Sequence, residues 1–350
     1  MGDGLTVAPR RVRDEHLQRV LQGEACLVFD GAMGTMLQRS GIAAGELPEL
    51  LCLTDPLGIT AVHRAYVEAG SQAVTTNTFG ASSLKLGGKA SVDEVFAAAV
   101  QCARESGAQL VAADIGPTGE LMFPMGELEF SQACELFAEQ ARAAEAAGAD
   151  LVIIETMADV LEMTAAVVSV RQSCTLPVFA TMTFTASGRT FLGTAPGDAA
   201  LALAALGVDA LGVNCSAGPA DLQPVVSEML EVASCPVIVQ ANAGLPEVID
   251  GVTSYSMAPG DYAAAVLPMV EAGAAIVGGC CGTDPSYIAE VAKLVEGRKP
   301  AAAPISREAM LARAREAADA GGRDAEILEM ILDAGSLDGL AQSLADEYDG

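Results

Sequence analysis

Cysteine is the residue type with the most chemical potential in this chain. Nine are present, and three of them directly follow short apolar runs: Cys215 in GVNCS and the adjacent pair Cys280-Cys281 in GGCCG. Glycine beside a thiol lets backbone approach a ligand closely and allows unusual dihedrals. Three thiolates brought together, with a fourth position open, describe a catalytic zinc site whose exchangeable ligand is a substrate thiol. A metal-bound thiol loses its proton near neutral pH, and the thiolate is the nucleophile. Such a site activates a thiol for alkyl transfer. Sites that activate water usually carry histidine or carboxylate ligands, and this chain has only two histidines. The competing reading is that Cys280 and Cys281 are two small buried residues, because unpaired cysteine is commonly core.

Two carboxylates also follow apolar runs. Glu155 ends Leu151-Val152-Ile153-Ile154, and Asp30 ends Cys26–Phe29. Glu155 reads either as a substrate clamp or as a structural partner for an arginine or a backbone amide. Asp30-Gly31 precedes Ala32–Leu37, which can start a helix. Free N–H groups there suit a substrate carboxylate, and an N-cap aspartate is the alternative. His63 falls inside the helical stretch Ile59–Tyr66 and reads as structural. His16 lies in a charged N-terminal helix and reads as solvated. Arg189, in the loop Ser187–Thr190, could reach an acidic partner, close over the site, or be a surface charge.

The elements that must position these residues repeat. An Ala-rich helix end, a turn containing Gly, a short apolar run and then polar residues recur as AGSQAVTTNTF, AGADLVIIETM, LGVDALGVNCS and AGAAIVGGCCG. Four looser apolar runs, Cys26–Phe29, Gln109–Ala112, Val178–Met182 and Val237–Ala241, complete a set of eight. The runs are too short for helices and lack strict alternation, which suits strands buried on both faces of a parallel sheet. Strand starts fall near residues 26, 73, 109, 151, 178, 210, 237 and 275, with helices such as Pro56–Ala69, Glu129–Ala147, Ala199–Leu206 and Asp261–Ala272 between them. Eight such units over about 275 residues match the size of a (β/α)8 TIM barrel. A doubly wound open sheet would want a third glycine in the loop Gly31–Gly34, and that glycine is missing. In a barrel, the residues just after the strands share one mouth. Asp30, Asn77-Thr78, Asp114, Glu155-Thr156, Thr183, Asn214-Cys215, Asn242 and Cys280-Cys281 would therefore converge.

Composition bounds the function. The chain has 350 residues, 51% of them hydrophobic, and 19 Lys+Arg against 46 Asp+Glu give a net charge of −27. A chain this apolar buries a large core and is not disordered. Its charge opposes binding to nucleic acid or to an anionic membrane. An odd number of scattered cysteines fits reduced thiols and a cytoplasmic location. The N-terminus lacks a signal-peptide pattern. Tyr262–Cys281, the most membrane-like stretch, is interrupted by Glu271 and glycines, and reads as a buried helix followed by a strand. The expected organisation is a barrel over residues 1–298, then a linker and acidic helical tail over 299–350. The segment from 301 onward carries 11 Asp/Glu against 4 Arg. It reads either as a flexible tail or as helices (Arg307–Ala320, Asp324–Asp333, Leu337–Ala345) docked on the barrel or on a partner.

Several stretches together resemble a known family. FDGAMGTMLQ (29–38), TNTFGA (76–81), DIGPTGEL (114–121), IIETM (153–157), GVNCS (212–216), QANAGLP (240–246) and GGCCGTDP (278–285) are similar to the homocysteine S-methyltransferase domain, in order and at the family's spacing. The resemblance spans roughly residues 15–297. It favours the homocysteine domain of cobalamin-dependent methionine synthases over the betaine-dependent branch, on GAMGTMLQ and on Gly80, where the betaine enzymes carry a zinc-binding tyrosine. It implies a TIM barrel in which Cys215, Cys280 and Cys281 hold zinc and serve catalysis. Asn242 matches a residue able to approach zinc when homocysteine is absent. The resemblance also implies that Glu155 and Asp30 bind the homocysteine amino group, that the amides of Gly31, Ala32 and Met33 bind its carboxylate, and that Thr78 and Phe79 line the pocket. The implied reaction is methylation of homocysteine to methionine. The sequence contains no cobalamin fingerprint of the DxHxxG type, so the expected donor is methylcobalamin on a separate corrinoid protein. S-methylmethionine or another small donor is the second choice, and a non-catalytic thiol- or zinc-binding subunit is the alternative from another class.

Overall fold

The computed structural model describes residues 5, 10–39, 41, 47–245, 247–249, 252–301 and 303–350. Pro246, the last residue of the QANAGLP stretch, lies outside them. Eight parallel strands form the barrel: β1 (Leu27–Val28), β2 (Ala73–Thr75), β3 (Leu110–Ile115), β4 (Leu151–Met157), β5 (Val178–Met182), β6 (Ala210–Cys215), β7 (Val237–Ala241) and, after an antiparallel hairpin of β8 (Glu247–Ile249) and β9 (Val252–Ser254), β10 (Ile276–Gly279). Neighbours follow sequence order from β2 to β7, then β10 and β1. A parallel bridge from Phe29 to Ala73 and the bond from Gln72 N–H to Val28 C=O join the first two strands, so the sheet closes. The expected (β/α)8 TIM barrel is the observed fold.

A short helix α1 (Glu15–Leu21) precedes the barrel. The β1 connection carries α2 (Met33–Arg39) and α3 (Leu51–Thr54) before α4 (Pro56–Glu68), and α5 (Ser83–Leu86) precedes α6 (Val92–Glu105). Single helices follow the next strands: α7 (Phe130–Ala147), α8 (Val160–Ser173), α9 (Pro196–Ala205), α10 (Pro219–Val232), α11 (Pro259–Ala272) and α12 (Pro285–Val295). Local chemistry sets these starts. Proline, whose missing N–H costs nothing in the first turn, opens α4, α9, α10, α11 and α12. Ser91 and Glu94 form a reciprocal capping box at α6. Tyr262–Cys281 divides into most of α11 and then β10, as its interruptions imply.

The barrel interior has its own core. Leu27, Phe29, Leu110, Leu151, Phe179, Ile238 and Ile276 meet there, and Leu17 and Val20 of α1 plug it from the N-terminal end of the strands. Phe29 and Phe179 face each other with ring centroids 6.2 Å apart. His16 is not solvated as expected. It is half-buried at this end, with Nε2 3.1 Å from both Cys26 C=O and Gln72 Nε2. The plug forces this, because the helix that inserts Leu17 turns its neighbour onto the strand ends. His63 is structural as expected: it is fully buried in α4, and burial pulls its pKa down to about 4.

The tail is docked. Helices α13 (Arg307–Ala318), α14 (Arg323–Asp333) and α15 (Leu337–Tyr348) bury Met310, Ile327, Leu328, Ile331, Leu340 and Leu344 in the same outer core as α7, α8 and α9. Arg323 grips Asp159 through two bonds of 2.8 and 2.9 Å. Asp159 also caps α8, so the tail is tied to the helix after β4. Arg189 donates to Gly193 C=O within its own loop, 2.8 Å away, and lines a cleft beside the tail, not the mouth.

Candidate active site

The ends of β1, β2, β3, β4, β6, β7 and β10 open into one cavity of about 440 Å³. Its wall includes Asp30, Gly31, Ala32, Met33, Phe79, Asp114, Glu155, Cys215, Cys280 and Cys281, which sequence reasoning placed at the mouth. The three sulfurs lie within 4.8 Å of one another, and Cys215 Sγ is 3.9 Å from Cys281 Sγ. A tetrahedral zinc with Zn–S bonds near 2.3 Å places its sulfurs about 3.8 Å apart. The donor set therefore fits zinc in both chemistry and spacing.

Glycine makes this cluster possible. A Cβ on Gly282, whose φ is +83°, would fall 2.3 Å from the Tyr255 ring, and one on Gly279 would fall 2.4 Å from Thr283 Oγ1. Cys215 takes the left-handed conformation (φ 54°), as do Ser216 (66°) and Thr156 (62°), the non-glycine residues with positive φ among those described. Each such residue costs about 1–2 kcal/mol. Strain of this kind clusters where geometry serves function.

The cluster's protons are shared. Cys215 is pulled far below the ordinary thiol range by hydrogen bonds from Cys280 and Cys281. Cys280 is pushed well above it, chiefly as the donor to Cys215, and Cys281 rises to about 11 for the same reason. Asn242 adds a further bond to Cys215 and is buried, with Oδ1 unpaired.

Carboxylates line the same cavity. Asp30 accepts from Thr75 N–H and Thr75 Oγ1, both at 2.9 Å, and burial raises its pKa to about 7. Burial, then Asp30, then Cys215 raise Glu155 to about 8. Asp114 is raised well above its ordinary value by burial and by Glu155. Thr78 is fully buried behind the wall, where its hydroxyl donates to Asp114 C=O at 2.7 Å. Ala32 N–H already has a partner in Thr283 Oγ1 at 3.2 Å. Phe79 is partly exposed, with Lys85 Nζ 5.5 Å from its ring centre.

Wall residues to which sequence reasoning gave no role include Glu49, Gln240 and Tyr255. Glu49 accepts from Gly80 N–H at 2.7 Å through Oε1, and its Oε2 is buried and unpaired, as are Asp114 Oδ1 and Gln240 Oε1. Glu49 sits in a single 3-10 turn (Pro48–Leu50), too short for a sequence period to reveal which way it faces. Gln240 was visible as part of an apolar strand and as the first residue of QANAGLP, with no role attached to it. Buried acceptors without donors favour a ligand that brings N–H groups.

A family model described as Homocysteine S-methyltransferase matches residues 27–295. The chain belongs to the homocysteine S-methyltransferase family. Methionine synthase of Mycobacterium tuberculosis is 34% identical over 327 residues, covering 87% of this chain and 27% of that protein. Methionine synthase of Mycobacterium leprae is 33% identical over 314 residues, covering 83% and 26%. The chain thus spans about a quarter of the length of these relatives. Among solved structures, the homocysteine methyltransferase MmuM from Escherichia coli aligns in its oxidised form with a TM-score of 0.68 at 23% identity, covering 79% of this chain and 99% of that one. Its metallated form aligns with a TM-score of 0.66 at 22% identity, covering 80% and 99%. At these identities the match speaks for the homocysteine S-methyltransferase fold alone.

Proposed function

We propose that this methyltransferase moves a methyl group onto the thiol of homocysteine, giving methionine, at a zinc ion held by Cys215, Cys280 and Cys281. The observation that carries the reading is the three-thiol cluster sharing one cavity with buried carboxylates. A bound zinc ion supplies the positive charge that keeps a substrate thiol ionised near neutral pH. Glu155 and Asp30 hold the substrate ammonium. The amides of Gly31, Ala32 and Met33 receive its carboxylate, with Ala32 N–H released from Thr283. Phe79 walls the cavity and Thr78 supports that wall through Asp114. Asn242, which bonds Cys215, would be a further residue able to help hold the ion when no substrate is bound. The ionised sulfur forms a bond to the methyl carbon as the carbon's bond to its carrier breaks. The chain's residues orient sulfur and exclude water.

The proposed donor is methylcobalamin on a corrinoid protein. A broad macromolecular donor needs a face to dock on, and the mouth has apolar residues for one. Among the described residues, the exposed large hydrophobics are Leu53 and Leu57 after β1, Phe79 and Leu84 after β2, Leu121 and Met125 after β3, Phe191 after β5 and Leu245 after β7. Each follows a barrel strand, and Phe79 also lines the cavity. Apolar side chains left exposed around the strand ends are candidates for such contacts. No nucleic acid or membrane partner is proposed. No described helix is long and apolar enough to cross a membrane, and the nine unpaired cysteines support a cytoplasmic location.

The test is methyl transfer to homocysteine from free methylcobalamin, a methylated corrinoid protein and S-methylmethionine, followed as methionine. Leu121→Glu and Phe191→Glu are expected to slow the protein-borne donor about tenfold, as loss of one or two docking contacts does, and to leave free methylcobalamin unaffected. Vigorous turnover with S-methylmethionine alone would overturn the corrinoid donor.

A further inference from the structure

Thr156 is β-branched, yet it holds φ at 62°, a conformation that disfavours such residues. Its holder is Asn214, which is completely buried at the end of β6. Asn214 Oδ1 accepts from Thr156 N–H at 2.8 Å, and Asn214 Nδ2 donates to Thr156 Oγ1 at 2.7 Å. One carboxamide thus grips both polar groups of the threonine. Thr181 Oγ1 of β5 donates to the same Oδ1 at 2.9 Å and fixes the carboxamide in turn.

The grip has a consequence one residue earlier. The pairing of β4 with β5 loses register between Ile154 and Met157. In a regular strand, successive side chains point to opposite faces. Here Glu155 and Thr156 both line the cavity. A bulge re-aims a side chain in this way, and a left-handed residue held from a neighbouring strand keeps it there.

We infer that Asn214 is a positioning residue for Glu155: by holding Thr156 left-handed, it turns the Glu155 carboxylate toward the ammonium of an amino-acid thiol and sets the preference for such thiols over simple ones. The inference rests on Glu155 being the ammonium clamp. It concerns selectivity, because Cys215, the next residue, presents its sulfur through its own backbone conformation.

The experiment uses zinc-loaded full-length protein. Calorimetry measures binding of homocysteine and of mercaptobutyrate, its analogue without the amino group, and zinc content is assayed in parallel. Asn214→Ala is expected to weaken homocysteine about tenfold, the scale of one charge-assisted contact misplaced. Mercaptobutyrate should change by less than about twofold, and zinc should be retained. Thr156→Gly should keep the wild-type preference for homocysteine over mercaptobutyrate, because glycine takes a positive φ unaided. On that background, Asn214→Ala should cost only about threefold for homocysteine. Thr181→Val, a milder change, should shift the same preference in the same direction, and it serves if Asn214→Ala does not fold. Equal weakening of both thiols, zinc lost in parallel, or additive effects of the Asn214 and Thr156 changes would overturn the inference. Wild-type protein that binds the two thiols equally overturns the Glu155 clamp itself. A wild-type preference that survives Asn214→Ala overturns only the role of Asn214.

Discussion

Loading the cysteine cluster with zinc should release about two protons per ion near neutral pH. The number follows from the structure. Cys215 is the thiolate of the trio, stabilised by its two neighbours, while Cys280 and Cys281 keep their protons. Three thiolate ligands require those two protons to leave. Each proton displaced makes the apparent affinity rise about tenfold per pH unit, so two make it rise about a hundredfold, or about 2.7 kcal/mol per unit. The assay adds zinc to reduced, metal-free protein in weak buffer containing an indicator dye, and repeats a chelator competition at two pH values. Cys280→Ala removes one proton-bearing thiol, so release should fall to about one. Ala at Cys174, which is buried away from the cavity, should change nothing. Release near zero, release near three, or an unchanged count in Cys280→Ala would refute the reasoning.

Glu155→Gln should raise the KM for homocysteine roughly ten- to a hundredfold, the scale of a lost hydrogen bond to a charged group, and should spare a thiol without an amine. The wild-type KM should also depend on pH. Burial raises Asp30 to about 7 and Glu155 to about 8. Each is therefore neutral below its pKa, so ammonium affinity is lost as pH falls and KM decreases as pH rises through this window. Glu155→Gln should remove the upper part of that dependence; identical profiles would count against the clamp. Arg323→Ala leaves Asp159, a carboxylate 12% exposed, without its bidentate partner. Because Arg323 is 25% exposed, the loss should be about 2 kcal/mol, below that of a fully buried pair. It should lower the thermal unfolding midpoint by several degrees without changing homocysteine binding.

The barrel was legible because its signal is local and repeated. Each helix end, glycine turn and apolar run announces one unit, as AGADLVIIETM does for β4. Convergence of Cys215 with Cys280 and Cys281 then followed from the rule that strand ends share a mouth. Docking of the tail was not legible. Arg323 and Asp159 are far apart in sequence, and the pattern of α14 shows an apolar face without showing what covers it. Glu49 was hidden for a related reason: its direction depends on Gly80 N–H, supplied by a loop from another strand. Asn214 and Thr156 were visible as mouth residues, but their mutual grip depends on a break in strand register that no residue pattern declares.

The plug at the base of the barrel bears on the order of events. Among the described residues, Leu17 and Val20, with Phe29 and Phe179 beyond them, pack the end of the barrel opposite the cavity. In the proposed reaction, whatever delivers the methyl group must use the same doorway through which methionine departs. A bulky carrier seated on the rim would trap the product, so carrier and amino acid must take turns. That alternation sets an upper limit on how firmly the rim can hold its visitor. Apolar residues spread over the connections after five strands, Phe79 and Leu121 among them, would suit repeated brief visits better than a firm hold.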